Sequence, residues 1–334
     1  LTRLSSNRRA ILSQHQEKND KAKIFHPIRQ SALIPAAMVA VRSASIAISP
    51  VMSLHRIPRA WFTSRLDELA PGAFNHSEHD AHEVWMGPQG VGLRPWEIPW
   101  RDVRRAPDKF EDLKLFKMSS SRTVVRTARF GSPVFIKRSL VRNTGERVAA
   151  WVRPPKEVRE FILALQWRQI GLRVPEPLML AFGRDPHTGG PARYYATSPL
   201  PDGARSARRL FRRKGFAGPR WEALAAHTAE MFKLGAVHSD FRADHLYFDR
   251  ENNDTIWMID LDGARVGDAP SEAEVRRLLR QLFQSLTNSG LTDDLVTRFL
   301  DIAAPQFATS IDATRILAEA RAAHADAHSD SDQD

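Results

Sequence analysis

Two runs in which apolar and polar residues mix at strand-like spacing, "RTVVRTARF" over 122–130 and "PVFIKRSL" over 133–140, meet at Gly131-Ser132 and predict a β-hairpin. The period then changes. In "PPKEVREFILALQWRQIGL", residues 154–172, the apolar Val158, Phe161, Ile162, Leu165 and Ile170 recur near helical spacing. Prolines open that run and Gly171 stops it, so it predicts a helix of about four turns. "VPEPLMLAFGR" and "ARYYATSPL" read as two further strands, joined by the turn signals between Asp185 and Gly190.

Helical periodicity returns in "WEALAAHTAEMFKLGA", residues 221–236, and in "VRRLLRQLFQSL", which Ser271 and Glu274 precede as a capping box. Between these helices, "HLYF" (245–248) and "TIWMIDL" (255–261) flank the polar turn Asp249 to Asp254 and predict a second hairpin. From about residue 110 onward, then, a β-rich segment precedes a helical one, an α+β arrangement with a cleft between its parts. The expected division is 111–198 for the β-rich part and 199–320 for the helical part, with a disordered acidic tail over 321–334. No internal repeat is visible.

Residues 1–110 read as an irregular extension, in part disordered. They are basic at first, then carry His76, His79, His82 and four tryptophans between Trp61 and Trp100. Without a second ligand cluster, those histidines read as imidazoles scattered in a polar loop rather than as a metal site. Pro35, Arg42 and Pro50 interrupt the apolar stretch from Ser31 to Leu54. It is expected to be an interfacial segment rather than a spanning helix, and it lies too far along the chain for a secretory signal.

Composition narrows the chemistry only slightly. The chain has 334 residues, 42% hydrophobic and 26% charged, which suits a soluble globular protein. It has no cysteine, so disulfides and thiolate-bound metals are excluded and metal ligands must be His, Asp or Glu. A net charge of +10 calls for an anionic partner: nucleotide phosphates, an acidic membrane leaflet or nucleic acid. Arginines cluster between Arg205 and Arg213, ahead of Lys214-Gly215. They serve either as a solvated face or as a grip on an anionic substrate. They are not interleaved with aromatics, which argues against a nucleic-acid stacking platform.

The candidate chemistry lies at the outer ends of the second hairpin. Pairing its strands brings Asp240, in His238-Ser239-Asp240, to the same side as Asp260, in Asp260-Leu261-Asp262. Two neighbouring carboxylates repel unless a cation or a raised pKa relieves them. Mg²⁺ is a suitable cation, because it takes one or two carboxylates and completes its shell with water and substrate phosphates. The implied substrate is a nucleotide. Lys137 can neutralise its phosphates if a helix carboxylate, Glu160 or one turn earlier Glu157, orients the ammonium.

The order Lys137, Glu160, His238-Ser239-Asp240, Asp260 resembles that of the protein-kinase-like fold. It is more closely similar to the bacterial lipopolysaccharide core kinases that act on Kdo and heptose. "REF" at 159–161 leading to "GLRVPEPL", then "HSDFRADHLYF" and "WMIDLDGARVG" before an Arg-Leu-Leu-Arg helix, carry the likeness over roughly residues 115–290. The resemblance implies a two-lobed protein-kinase-like fold, with a small β-rich N-lobe and a mainly helical C-lobe. It implies ATP and Mg²⁺ as cofactors and a sugar hydroxyl of the lipopolysaccharide inner core as acceptor. By the same likeness Asp240 is the catalytic base, Asp260 the metal ligand, Lys137 the anchor of the α/β-phosphates, and Glu160 its partner. His245 takes the place of the metal-binding Asn of protein kinases, as in the heptose kinases, and is a second candidate ligand. His238 is expected to brace its loop.

Two departures qualify the likeness. Where a glycine-rich loop is expected the chain has "KMSSSRTVV", so Ser119, Ser120, Ser121 and backbone amides must cover the phosphates. The few residues between Gly263 and the next helix leave no room for a peptide-docking activation loop. The acceptor, lipid A bearing Kdo, is anionic and membrane-anchored, so the expected location is cytoplasmic and peripheral to the inner membrane, held by the arginines of 205–213. The competing functions are a small-molecule or Ser/Thr protein kinase, and a pseudokinase that binds nucleotide without turnover.

Overall fold

The computed structural model describes residues 59–141, 154–216, 218–252, 254–306 and a few positions between 315 and 322. The predicted interfacial segment at Ser31–Leu54 and most of the acidic tail lie outside the described residues. The two strand-like runs of the first predicted hairpin are β4 and β5 of an antiparallel sheet. That sheet comprises β1 (Asn75–His79), β2 (His82–Met86), β3 (Leu113–Met118), β4 (Arg122–Thr127), β5 (Val134–Leu140), β6 (Pro177–Arg184) and β7 (Pro191–Thr197), in the order β1-β2-β6-β7-β5-β4-β3. The central register sets Lys137 opposite Val124 on one side and Tyr195 on the other.

Alternation along β5 decides what each face of the sheet carries. Tyr195, with Trp85, Leu180 and Phe182, packs against Val158, Phe161, Ile162 and Leu165 of the helix Lys156–Gln169. Those are the apolar positions that the helical spacing picked out. The helix Arg59–Leu69 (α1) adds Phe62 and Leu66 to the same cluster. On the opposite face, Val125, Ile136 and Tyr194 are covered by Trp96 and by Trp100 and Val103 of the short helix Trp100–Arg105 (α2). The long helix Lys156–Gln169 is α3.

The second part of the chain is mainly helical: α4 (Ala207–Lys214), α5 (Pro219–Lys233), α6 (Glu272–Leu286) and α7 (Asp293–Ala303). Trp221, Leu224, Phe241, Leu279, Phe283 and Phe299 are among the residues of its core. The capping box expected at α6 forms, with Ser271 accepting from the Glu274 amide and Glu274 reaching back to Ser271. The second hairpin is present as β10 (Leu246–Phe248) and β11 (Ile256–Met258), with β8 (Arg205–Ser206) on the outer side of β10. A two-stranded pair, β9 (Ala236–Val237) and β12 (Arg265–Val266), closes the loops around the hairpin ends. Gly235, which leads into β9, has φ +69, and a Cβ there would lie 1.8 Å from the Gly267 carbonyl oxygen. Glycine alone fits that approach. The chain thus has the two-lobed α+β architecture expected of it: a β-rich lobe with one long helix on it, followed by a helical lobe.

The stretch 59–110 differs from the irregular extension expected of it. It supplies α1, β1 and β2 on one side of the sheet and the Trp96–Trp100 cover on the other. Its histidines belong to those strands: buried His82 stacks on Trp96 at 4.4 Å, and His76 lies 3.2 Å from Glu83. Among the described residues no group of three His, Asp or Glu is placed to hold a metal, and no helix is long and apolar enough to cross a membrane.

Candidate active site

Lys137 leaves β5 on the α3 side of the sheet, and its Nζ donates to Glu160 Oε2 at 2.7 Å. The two residues are far apart in sequence and meet because α3 packs its buried face, including Glu160, on that side. Glu157, the other carboxylate weighed for this role, faces Arg193 at 3.4 Å and Arg122 at 3.8 Å instead. Lys137 also lies 3.8 Å from Asp260 Oδ1, so one ammonium links sheet, helix and the loop after β11.

Two histidines fix the loops that carry the acidic residues. His238 is fully buried; its Nε2–H donates to the Ile259 carbonyl at 3.0 Å and its Nδ1 accepts the Asp240 amide at 3.2 Å. Burial pushes its pKa down to about 4, against the hydrogen bond to Ile259 and the charges of Asp260 and Asp240. A neutral ring bridging two loops is a brace, not a proton shuttle at neutral pH. His245 Nδ1 lies 2.9 Å from the Asp240 carbonyl and donates to it, leaving the Nε2 lone pair available. Asp240 itself is half-exposed, and Arg242 grips its carboxylate with contacts of 2.6 and 2.7 Å. That clamp gave no signal in the sequence beyond a lone arginine two residues on.

Asp260 stands just beyond β11 at φ +58, a left-handed turn uncommon outside glycine. Burial alone would raise its pKa, but Lys137 and Lys156, helped by His245 and Arg122, hold it at about 2. Its Oδ1 is buried and accepts no hydrogen bond among the described residues, although both lysine ammonium groups stand 3.8 Å away. An ionised, under-bonded carboxylate oxygen near an imidazole with a free lone pair fits a hard cation taking one or two protein ligands. Asp260 and His245 are the residues that would hold it. Asp262, read from the sequence as a turn residue before Gly263, is also paired across the lobes, with Lys156 at 2.5 Å and Arg159 at 3.2 Å on α3.

Lys137, Glu160 and Asp260 line a cleft of about 370 Å³, whose lining does not include Asp240 or His245; its volume is within the size range of small-molecule sites. Phe116, Val124 and Phe135 line it from the sheet, and Leu200, Met258 and Leu261 from the helical part. The serines proposed as phosphate cover do not line it. Ser119 is used in closing the β3–β4 turn: its amide donates to the Arg122 carbonyl at 2.7 Å and its Oγ accepts the Arg122 amide at 3.0 Å. Besides Phe116 and Val124, the hairpin presents Lys117, Arg122 and Arg126 to the cleft. Side-chain cations thus occupy the place expected of backbone amides, a substitution that a search for glycines could not reveal.

Two outcomes follow from this geometry. Glu160→Gln removes the charge partner of Lys137. Charge-assisted hydrogen bonds contribute about 1.5–3 kcal/mol, so for the nucleotide substrate that the sequence resemblance implies, kcat/KM should fall about 10- to 100-fold, measured in steady state beside a melting curve. Asp260, with a depressed pKa, stabilises the fold fully above its unfolded value of 3.8 and loses that contribution as pH falls toward about 2. In metal-free buffer, wild type should therefore lead Asp260→Asn in stability above the carboxylate range, and urea titrations should show the lead shrinking towards pH 2.

Residues 203–302 match a family model described as the Lipopolysaccharide kinase (Kdo/WaaP) family. The matched stretch contains Asp240, His245 and Asp260, while Lys137 and Glu160 precede it. No curated protein sequence matches the chain. Among solved structures, WaaP in complex with acyl carrier protein aligns over 78% of this chain and 98% of that one, at 17% identity and a TM-score of 0.46. The bifunctional kinase-methyltransferase WbdD aligns over 60% of this chain and 42% of its own, at 17% identity and a TM-score of 0.39. The resemblance to lipopolysaccharide kinases read from the sequence is borne out by the family match, and with it the expectation of a kinase.

Proposed function

We propose that this lipopolysaccharide-kinase-like chain transfers the γ-phosphoryl group of ATP, with Mg²⁺, to a sugar hydroxyl of the lipopolysaccharide inner core. The observation that carries the reading is the Lys137–Glu160 ion pair held 3.8 Å from the under-bonded carboxylate of Asp260 at the cleft. Lys137, oriented by Glu160, takes the α/β-phosphates, and Arg122 adds charge where a glycine-rich loop would supply amides. Asp260 and His245 would hold Mg²⁺, which when bound would neutralise charge on the transferred group. Asp240, on the loop braced by His238, accepts the proton of the acceptor hydroxyl. Arg242 keeps positive charge beside it, where the phosphoryl group is received.

The cationic α4 suits an anionic acceptor carried on a membrane. Arg209, Arg212, Arg213 and Lys214 are exposed on it, while Leu210 and Phe211 anchor it to the core. On this reading the enzyme works at the cytoplasmic face of the inner membrane. A second reading, a nucleotide-binding pseudokinase, is favoured by one feature: Asp240 is held by Arg242 through both carboxylate oxygens. The deciding experiment is transfer of γ-labelled phosphate, with and without Mg²⁺, to Kdo-bearing lipid A, to heptose-extended core, to a generic protein and to water. Label on one lipid acceptor that depends on Mg²⁺ supports the kinase. ATP binding with no transfer to anything sinks it and leaves the pseudokinase.

A further inference from the structure

A second cavity, of about 350 Å³, lies away from the cleft. Because side chains alternate along β5, Lys137 faces the cleft and Arg138 faces the other side of the sheet, towards Trp100 of α2. Arg138 lines this cavity with Arg101, Arg104 and Arg105 of α2, His187 of the β6–β7 turn, and Leu140. The cavity exists because residues 88–110 cover this face of the sheet, so it belongs to the segment for which the sequence reading found no role.

Its charge is one-sided. Asp185 compensates Arg138, but no carboxylate lines the cavity among the described residues, and Arg101 and Arg105 have no ion-pair partner there. Folding accounts for only some of these cations. Arg104 and Arg105 sit in the last turn of α2, where the helix dipole favours positive charge. Arg101 sits in the first turn, where it does not, and its spacing of three and four residues from the others puts like charges on one face. Trp100 and Val103, both fully buried, fix the helix so that this face is held at the cavity.

We infer that this cavity is a binding site for a compact polyanion bearing two phosphate groups, such as pyrophosphate or a bis-phosphorylated sugar head group. Guanidinium forks match phosphate oxygens in pairs, and Arg101 and Arg105, which have no ion-pair partner among the described residues, suit more than one negative charge. A nucleotide fits less well, since the lining offers a base no stacking platform beyond the exposed His187 and only Leu140 as aliphatic wall. Thr188, also at the cavity, already donates its hydroxyl to Asp185 at 2.9 Å, so the arginines carry recognition. The site is independent of the kinase reading, because it shares no residue with the cleft.

The test is calorimetric titration of the full chain with pyrophosphate, comparing wild type, Lys137→Ala and the double variant Arg101→Ala/Arg105→Ala. Both arginines are exposed, and matching melting curves would establish that the double variant is folded. Affinity should survive Lys137→Ala within a factor of about two and fall about tenfold or more in the double variant. Loss in Lys137→Ala with no change in the double variant would place the ligand in the cleft and overturn the inference, as would no binding at all. Equal affinity for orthophosphate and pyrophosphate would overturn the two-phosphate class. Vesicles of phosphatidylcholine with and without cardiolipin, whose head group bears two phosphates, separate the sources: competition only by the cardiolipin vesicles identifies a lipid head group, and no competition a soluble ligand.

Discussion

Asp240→Asn should lower kcat by about 10²- to 10⁴-fold, the range typical of removing a positioned general base, while leaving nucleotide affinity nearly unchanged. The substitution preserves shape. The backbone of residue 240 is held by His238 through its amide and by His245 through its carbonyl, and neither contact involves the carboxylate. Asparagine can still accept one hydrogen bond from Arg242 but cannot take the proton of an acceptor hydroxyl. In the proposed function nucleotide contacts fall to Lys137, Glu160 and Asp260, so a loss confined to turnover separates the base from that binding machinery. Arg242→Gln is the informative companion. If the clamp is an inhibitory latch, its removal raises activity; if Arg242 receives the transferred phosphoryl group, its removal lowers kcat without restoring anything. An Asp240→Asn enzyme with wild-type turnover would end the assignment of Asp240 as base.

The sequence made much of this site legible, for a physical reason. Hairpins and amphipathic helices announce themselves through periods set by local geometry, and the pairing of Leu246 with Met258 puts the loops that carry Asp240 and Asp260 at the same end of the hairpin. The choice of Glu160 over Glu157 as the partner of Lys137 was not in the apolar spacing, because α3 buries both; the cations beside Glu157, Arg193 and Arg122, divide them. What stayed hidden was carried by contacts without a period. β1, Asn75–His79, is polar and largely exposed, so its side chains show no alternation, and it joins the sheet through backbone pairing with β2 and through His76, which meets Glu83 and Trp85. The nearby tryptophans were the available signal: Trp85 and Trp100 are fully or almost fully buried, Trp96 nearly so, and a loop has little use for such residues. Lys156 and Arg122 were hidden for a different reason. Each lies in an ordinary polar position, and only the tertiary approach of α3 and the β3–β4 hairpin brings them near Asp260.

The largest expected loss of stability comes from Asp185→Ala, about 3–5 kcal/mol, the cost of breaking a buried ion pair by removing one partner. Arg138 and Asp185 are both buried, and the guanidinium donates to Asp185 Oδ2 through Nε at 2.8 Å and through Nη2. The other oxygen of Asp185 accepts the amide and hydroxyl of Thr188 and the amide of His187. One carboxylate therefore ties the β6–β7 turn to the middle of β5, the strand that carries Lys137. Burial alone would raise its pKa, but Arg138 and then Thr188 outweigh that and hold it below the usual carboxylate value. Its contribution is accordingly complete at neutral pH and lost only on strong acidification. Alanine leaves a buried guanidinium without a counter-charge, and thermal unfolding should shift down by roughly 4–9 °C for a chain of this size. Pairing the change with Arg138→Leu removes the stranded charge and should recover most of the loss. Were the double variant no more stable than Asp185→Ala, the loss would come from the turn's hydrogen bonds rather than from the ion pair.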